Sequence, residues 1–170
     1  MPKHDRKNQD RDNLAGEHAF TDAGQLILAI LFFVVWILDS FFLQWSTFLN
    51  GMIPLYVRLP VAALVIIPAI YLARASEKAI FGQEQATPHV VRTGVFAFVR
   101  HPLYLSELLL YLGILVASMS LASCAVWLLA IAFLHYIARK EEQILISRFE
   151  DDYRTYMTEV SMWVPLRRRQ

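Results

Sequence analysis

The sequence predicts an all-α fold: an integral membrane helical bundle of about four transmembrane helices with a C-terminal amphipathic helix. Three observations predict it. Of the 170 residues, 56% are hydrophobic and the mean hydropathy is +0.40, too apolar for a soluble domain of this size. The charges fall in blocks, and the apolar runs between them approach the roughly 20 residues needed to cross about 30 Å of hydrocarbon. The net charge of +1 gives no reason to expect a nucleic-acid partner. With one cysteine, Cys124, no intrachain disulfide is possible.

Three regions follow in order: a polar N-terminal tail (1–22), two transmembrane helices (23–74) and a core of connecting loop, two further transmembrane helices and C-terminal segment (75–170). The tail mixes charges of both signs without a helical stripe, so it reads as weakly ordered and not as a cleavable signal. Gly24 to Leu43 is the first span, with Asp39 its single charge. A loop free of lysine and arginine, Gln44 to Ile53, leads to the second span, Pro54 to Ala73, which carries Arg58, Pro60 and Pro68. The prolines predict kinks facing protein, where neighbours satisfy the freed carbonyls. Asp39 and Arg58 sit at similar depth, which predicts either separate snorkelling or an ion pair between helices one and two.

Arg74 to Val99 is the longest polar connection. It ends in Arg92–Tyr104, RTGVFAFVRHPLY, where a proline in the first turn starts a helix without losing a hydrogen bond. Arg100 and His101 beside the positive end of that helix form a place for an anion or, more plainly, a basic interface anchor. Leu103 to Ser118 and Leu121 to Ala138 are the third and fourth spans, joined by a Ser-rich turn. All basic stretches then lie on one side, which places both termini in the cytoplasm. His101 and Glu141 lie about equally far from the turn, so antiparallel helices rising 1.5 Å per residue return them to the same depth.

Beyond Glu141 the apolar positions Leu145, Phe149, Tyr153, Tyr156 and Val160 recur every three or four residues, an amphipathic helix whose stripe packs down. Tyr153 and Tyr156 read as packing. Trp163, Pro165 and Arg167 to Arg169 read as an aromatic and polybasic membrane anchor.

With these pieces in view, the order G-V-F-A-F-V-R-H-P-L-Y, a hydrophobic hairpin, E-E-x-x-L, F-x-x-x-Y-x-x-Y and a final proline resembles the isoprenylcysteine carboxyl methyltransferase and phospholipid methyltransferase family. The resemblance covers roughly Thr87 to Pro165. It implies S-adenosylmethionine as cofactor, held at the cytoplasmic ends of the last two spans, and a lipidic or prenylated acceptor entering from the bilayer. By position, His101, Pro102, Leu103 and Tyr104 would line the cofactor, Glu141 would bind it from the opposite helix, and His89, Val90, Val91 and Phe96 would cover it. Arg100 joins them as a cofactor contact. Arg139 and Glu142 are the candidate catalytic residues, with Glu142 or His135 as base for an amine or thiol acceptor; no metal is expected. Phe96, Ser106 and Glu150 depart from the family pattern, which usually has tyrosine, glycine and glycine there.

The chemistry suits these residue types. The cofactor carries a carboxylate, an ammonium, a ribose diol and a sulfonium. A helix start with Arg100 and His101 suits the first, Glu141 the second or third, and the electron-rich ring of Tyr104 the last. Two other readings remain: an NADPH-dependent membrane sterol or steroid reductase, which Glu107 favours, and a non-catalytic membrane scaffold. Oligomeric state is left open.

Overall fold

The computed structural model describes residues 23–81 and 90–164. Four helices account for most of them: α1 (Ala23–Leu43), α2 (Leu55–Phe81), α3 (Pro102–Ser118) and α4 (Leu121–Glu159). α1, α2 and α4 are long and apolar enough to cross a membrane. α3 is a shorter apolar helix of 17 residues, at the lower limit for a span. The expected all-α membrane bundle is what forms. The N-terminal tail, His89, Pro165 and Arg167 to Arg169 lie outside the described residues.

One apolar face each of α1, α3 and α4 meets the others. Leu28 and Phe32 of α1, Tyr104, Leu108, Tyr111 and Leu115 of α3, and Ala130, Leu134, Ile137 and Ala138 of α4 form one buried cluster. Phe32 stacks on Tyr111 with centroids 4.1 Å apart, and Trp127 Nε1 donates to the Leu108 carbonyl at 2.9 Å. Gln25 and Tyr111 both donate to Glu107, at 2.7 and 2.6 Å, so this intramembrane carboxylate is satisfied between α1 and α3.

α2 packs along α3 through small residues. Ala62 and Ala69 are buried, and a Cβ on Gly113 would overlap the Ile66 side chain and come within 3.3 Å of the Ala62 carbonyl oxygen. Small residues let membrane helices approach where no hydrophobic drive separates lipid from protein. Gly113→Val therefore costs about 1–3 kcal/mol of stability by overpacking, measurable as a lowered thermal midpoint in nanodiscs.

The prolines of α2 depart from expectation. Pro60 and Pro68 are exposed, and the helix is continuous through both. The packing face is taken by alanines, and the apolar rings turn outward, where lipid suits them. α2 also runs past Ala73 to Phe81, because ARASEKAIF contains good helix formers and no breaker.

At the other end of the bundle α1 finishes in a π-helical turn, Leu38–Leu43, closed by Gln44 in the left-handed region. Asp39 there accepts from the Ser46 backbone N–H (3.1 Å), the Ser46 hydroxyl (2.5 Å) and the Ser120 hydroxyl (2.6 Å). Ser120 is the N-cap of α4, accepting from the Ser123 N–H. Arg58 donates instead to Asn50 Oδ1 and to the Ala117 carbonyl. The Asp39–Arg58 ion pair is thus absent, and snorkelling is too, since both residues are buried. The serines of the two loops supply local donors that reach Asp39 first.

α4 bends at Glu150, whose φ of 47° and ψ of −120° lie in a region that glycine enters freely and a side chain enters at about 1–3 kcal/mol. This explains the glycine usual there in the family pattern. Relief of that strain makes Glu150→Gly about 1 kcal/mol more stable than the natural chain, whereas Glu150→Val lowers the midpoint; thermal unfolding of both variants checks it.

Candidate functional site

Two segments distant in sequence meet at the start of α3. The chain reaches His101 through a 3-10 turn, Gly94–Ala97, entered at Gly94 with φ 62°, a left-handed position suited to glycine. Pro102 then begins α3 and is fully buried, with His101 as its N-cap residue. Across from it, α4 presents Glu141 and Glu142. Both segments are polar because they lie where the helices leave the apolar layer, and the tight turn between α3 and α4 brings them to one level.

His101, buried, stands between the two carboxylates. Its Nε2 is 3.3 Å from Glu142 Oε1 and its Nδ1 3.7 Å from Glu141 Oε2. Arg100 Nε lies 2.9 Å from the same Glu142 oxygen, though its N–H is not aimed along that line, so the attraction is between charges and not a directed hydrogen bond. Glu142 is only 2% exposed. The Glu141 side chain keeps 29% of its exposure and accepts from the Tyr104 hydroxyl. The Tyr104 ring lies parallel to His101, 5.7 Å away and inclined by 7°.

The arm of α4 beyond its bend closes over this cluster. Arg100 donates from its backbone to Ser161 and from Nη1 to the Met157 carbonyl, both at 3.0 Å, and Val99 pairs with Ser161 in a parallel bridge. Tyr156 donates its hydroxyl to the Phe96 carbonyl at 2.7 Å. Burial pushes that phenol up to about 12, against the pull of Arg100 and Arg92, so it stays a donor at neutral pH. Tyr153, Tyr156 and Val160 form a second buried cluster with Val90, Leu145 and Phe149. The predicted stripe therefore packs, on the segment that precedes α3. Arg92 clamps the same contact, paired to Asp152 at 2.5 Å.

Of the residues singled out in the sequence, Arg100, His101, Tyr104, Glu141 and Glu142 come together. Pro102 and Leu103 form the first turn beneath them. Val90, Val91 and Phe96 are half-buried in the overlying segment, Phe96 offering its carbonyl to Tyr156. Arg139 does not join: its side chain is exposed, although it stands one turn before Glu142 on nearly the same face of the helix. Glu142 joins as the buried counter-charge of Arg100 and a hydrogen-bond partner of His101, not as a free base. Ser106, where the family has glycine, is buried and donates to the Leu103 carbonyl.

Trp163 is the residue that sequence reasoning misplaced. Read as a membrane anchor, it lies 6.1 Å from the His101 ring and 6.2 Å from the His135 ring, and donates Nε1 to His135 Nδ1 at 3.1 Å. His135 is exposed. No sequence signal marked this contact, since it depends on the turn after Glu159.

A family model described as phospholipid methyltransferase matches residues 55–152. This is more than half of the chain and includes the Arg100–Tyr104 and Glu141–Glu142 segments. No curated protein and no solved structure matches significantly.

Proposed function

We propose a reaction for a chain that belongs to the phospholipid methyltransferase family: transfer of a methyl group from S-adenosylmethionine to a hydrophobic or lipid-linked acceptor, at the His101–Glu141 cluster. The single observation that carries it is the convergence of Arg100, His101 and Tyr104 with Glu141 and Glu142 from the two sides of one apolar hairpin.

The donor set fits that cofactor. Glu141 is the more open of the two carboxylates and has accepting positions left after Tyr104, so it suits an ammonium or ribose hydroxyls. Arg100 and His101 at the head of α3 suit a carboxylate. The parallel rings of His101 and Tyr104, with Trp163 beside them, give an electron-rich face for a positive sulfonium. When bound, the cofactor supplies an electrophilic methyl group. Glu142 acts as a positioning residue, holding Arg100 and His101 in place. The arm of α4 and the segment 90–100 exclude water, which favours a displacement that cancels the charges of a carboxylate acceptor and a sulfonium. An isoprenylcysteine-like carboxylate needs no general base, so O-methylation suits a cluster whose Glu142 is already engaged. By the positive-inside rule, the basic residues near the cluster support a cytoplasmic position for it.

Glu107, which favoured a reductase, is taken up by Gln25 and Tyr111 inside the bundle, so that reading loses its support. The test is a parallel titration of S-adenosylhomocysteine and NADPH in nanodiscs. Wild type binds the first, and His101→Ala and Glu141→Gln each weaken it by roughly tenfold or more, the loss of one charge-assisted contact. Binding of NADPH alone would sink the proposal.

A further inference from the structure

Between Leu121 and Ala138 the exposed positions of α4 are leucines, alanines, Tyr136 and His135. An ionisable ring on the lipid-facing side of a membrane helix is costly and marks a place where a polar partner is expected. Trp163 fixes that ring: its Nε1–H donates to His135 Nδ1 at 3.1 Å. An indole N–H only donates, so Nδ1 carries no proton, and the neutral imidazole then carries its proton on Nε2. Among the described residues nothing accepts from that Nε2–H, and the side chain that presents it is exposed. With Nδ1 occupied and Nε2 protonated, His135 has no free lone pair with which to act as a base. It is a donor aimed by a tryptophan.

The neighbours decide what suits this donor. Trp163 lies 6.1 Å from the His101 ring and 6.2 Å from the His135 ring, so the donor stands one aromatic ring away from the methyl-transfer cluster. Arg139, one turn nearer the helix exit, is exposed and adds a positive charge on the same side of α4. Ala132 and Leu128, one and two turns deeper, are exposed and apolar. A ligand lying along this stripe meets a cation, then a hydrogen-bond donor, then hydrocarbon. That order suits an amphiphile with an anionic head.

We propose that His135 docks the acceptor, its Nε2–H donating to an anionic oxygen of the head group, a carboxylate or phosphodiester oxygen, while the chain stays beside Ala132 and Leu128. Trp163 is the positioning residue that sets the tautomer and aim of the imidazole. The proposal deepens the methyl-transfer reading and rests on it for the identity of the docked lipid as acceptor.

Two amides separate docking from mere support of Trp163. The asparagine amide falls where Nδ1 stands and the glutamine amide where Nε2 stands, so His135→Asn keeps an acceptor for Trp163 without the outward donor, and His135→Gln does the reverse. The full chain in a phosphate-free glycoside detergent is titrated with radiolabelled N-acetyl-S-farnesylcysteine, short-chain phosphatidylethanolamine or farnesol, without and with saturating S-adenosylhomocysteine. Wild type binds one of the two anionic-oxygen probes more tightly than farnesol, and the probe that binds identifies the oxygen as carboxylate or phosphodiester. His135→Gln binds that probe within about threefold of wild type, and His135→Asn roughly tenfold more weakly, the loss of one hydrogen bond to a charged group. Farnesol, which lacks the charge, binds all three proteins alike and reports that the fold is kept. Wild-type affinity in His135→Asn, or weaker binding by His135→Gln than by His135→Asn, overturns the docking role. Equal binding of all three probes by wild type overturns the anionic head. Absence of S-adenosylhomocysteine binding in wild type sinks the methyl-transfer reading instead, and the order of the three proteins toward the probes still decides whether His135 holds a lipid.

Discussion

Glu142→Ala unfolds at a much lower temperature than wild type and has no methyl-transfer activity. The carboxylate it removes is 2% exposed and is the counter-charge for Arg100 at 2.9 Å and the partner of His101 at 3.3 Å. Taking one partner from a buried pair leaves the other charge desolvated and unpaired, at about 3–5 kcal/mol. Because Arg100 also ties the α4 arm through Met157 and Ser161, the arm loosens as well. Glu141→Gln provides the contrast. That side chain is 29% exposed, so the fold survives with a midpoint near wild type while binding of S-adenosylhomocysteine falls. Thermal unfolding and ligand titration of the two variants together separate positioning from contact. If Glu142→Ala kept the wild-type midpoint, the buried ion pair would have no role in holding the site.

Asp39→Ala has the second large effect, about 2–4 kcal/mol of destabilisation, because charge-assisted hydrogen bonds are lost and the Ser46 and Ser120 hydroxyls lose their carboxylate acceptor. Asp39 links the end of α1 to the first turn of α4. It receives the Ser46 and Ser120 hydroxyls, and Ser46 Oγ in turn accepts the Ala122 N–H at 2.8 Å. A negative charge so placed also complements the positive end of α4. Asp39 and Arg58 share no partner, so Asp39→Ala and Arg58→Ala add in a double-mutant cycle to within about 0.5 kcal/mol. A larger coupling energy would restore the ion pair that the loop serines replace.

Much of this architecture was readable from local pattern. Apolar runs bounded by charge blocks marked the helices, Pro102 marked the start of α3, and the tight Ser-rich turn made the hairpin that returns Glu141 to the level of His101. The stripe from Leu145 to Val160 announced a packed arm. The departures each had a cause that no local pattern contains. Pro60 and Pro68 turned outward because Ala62, Ala69 and Gly113 held the closer contact. Arg139 stayed exposed although it stands one turn before Glu142. Trp163 was assigned to lipid and sits instead between two histidines.

Hydrophobic length and helix punctuation are properties of a few neighbouring residues, so the order of residues sufficed for the apolar helices, the start of α3 and the pairing of the two polar patches, though not for the end of α2. Which charges neutralise one another was settled only when whole helix faces met. Partner choice for a buried ion depends on distances of a few ångströms and on how many neutral donors stand closer. That is why Glu142, a candidate base for an amine or thiol acceptor, stands as the counter-charge of Arg100, and why Asp39 and Arg58, read either as separate snorkelling residues or as an ion pair, went to serines and to an asparagine and a carbonyl.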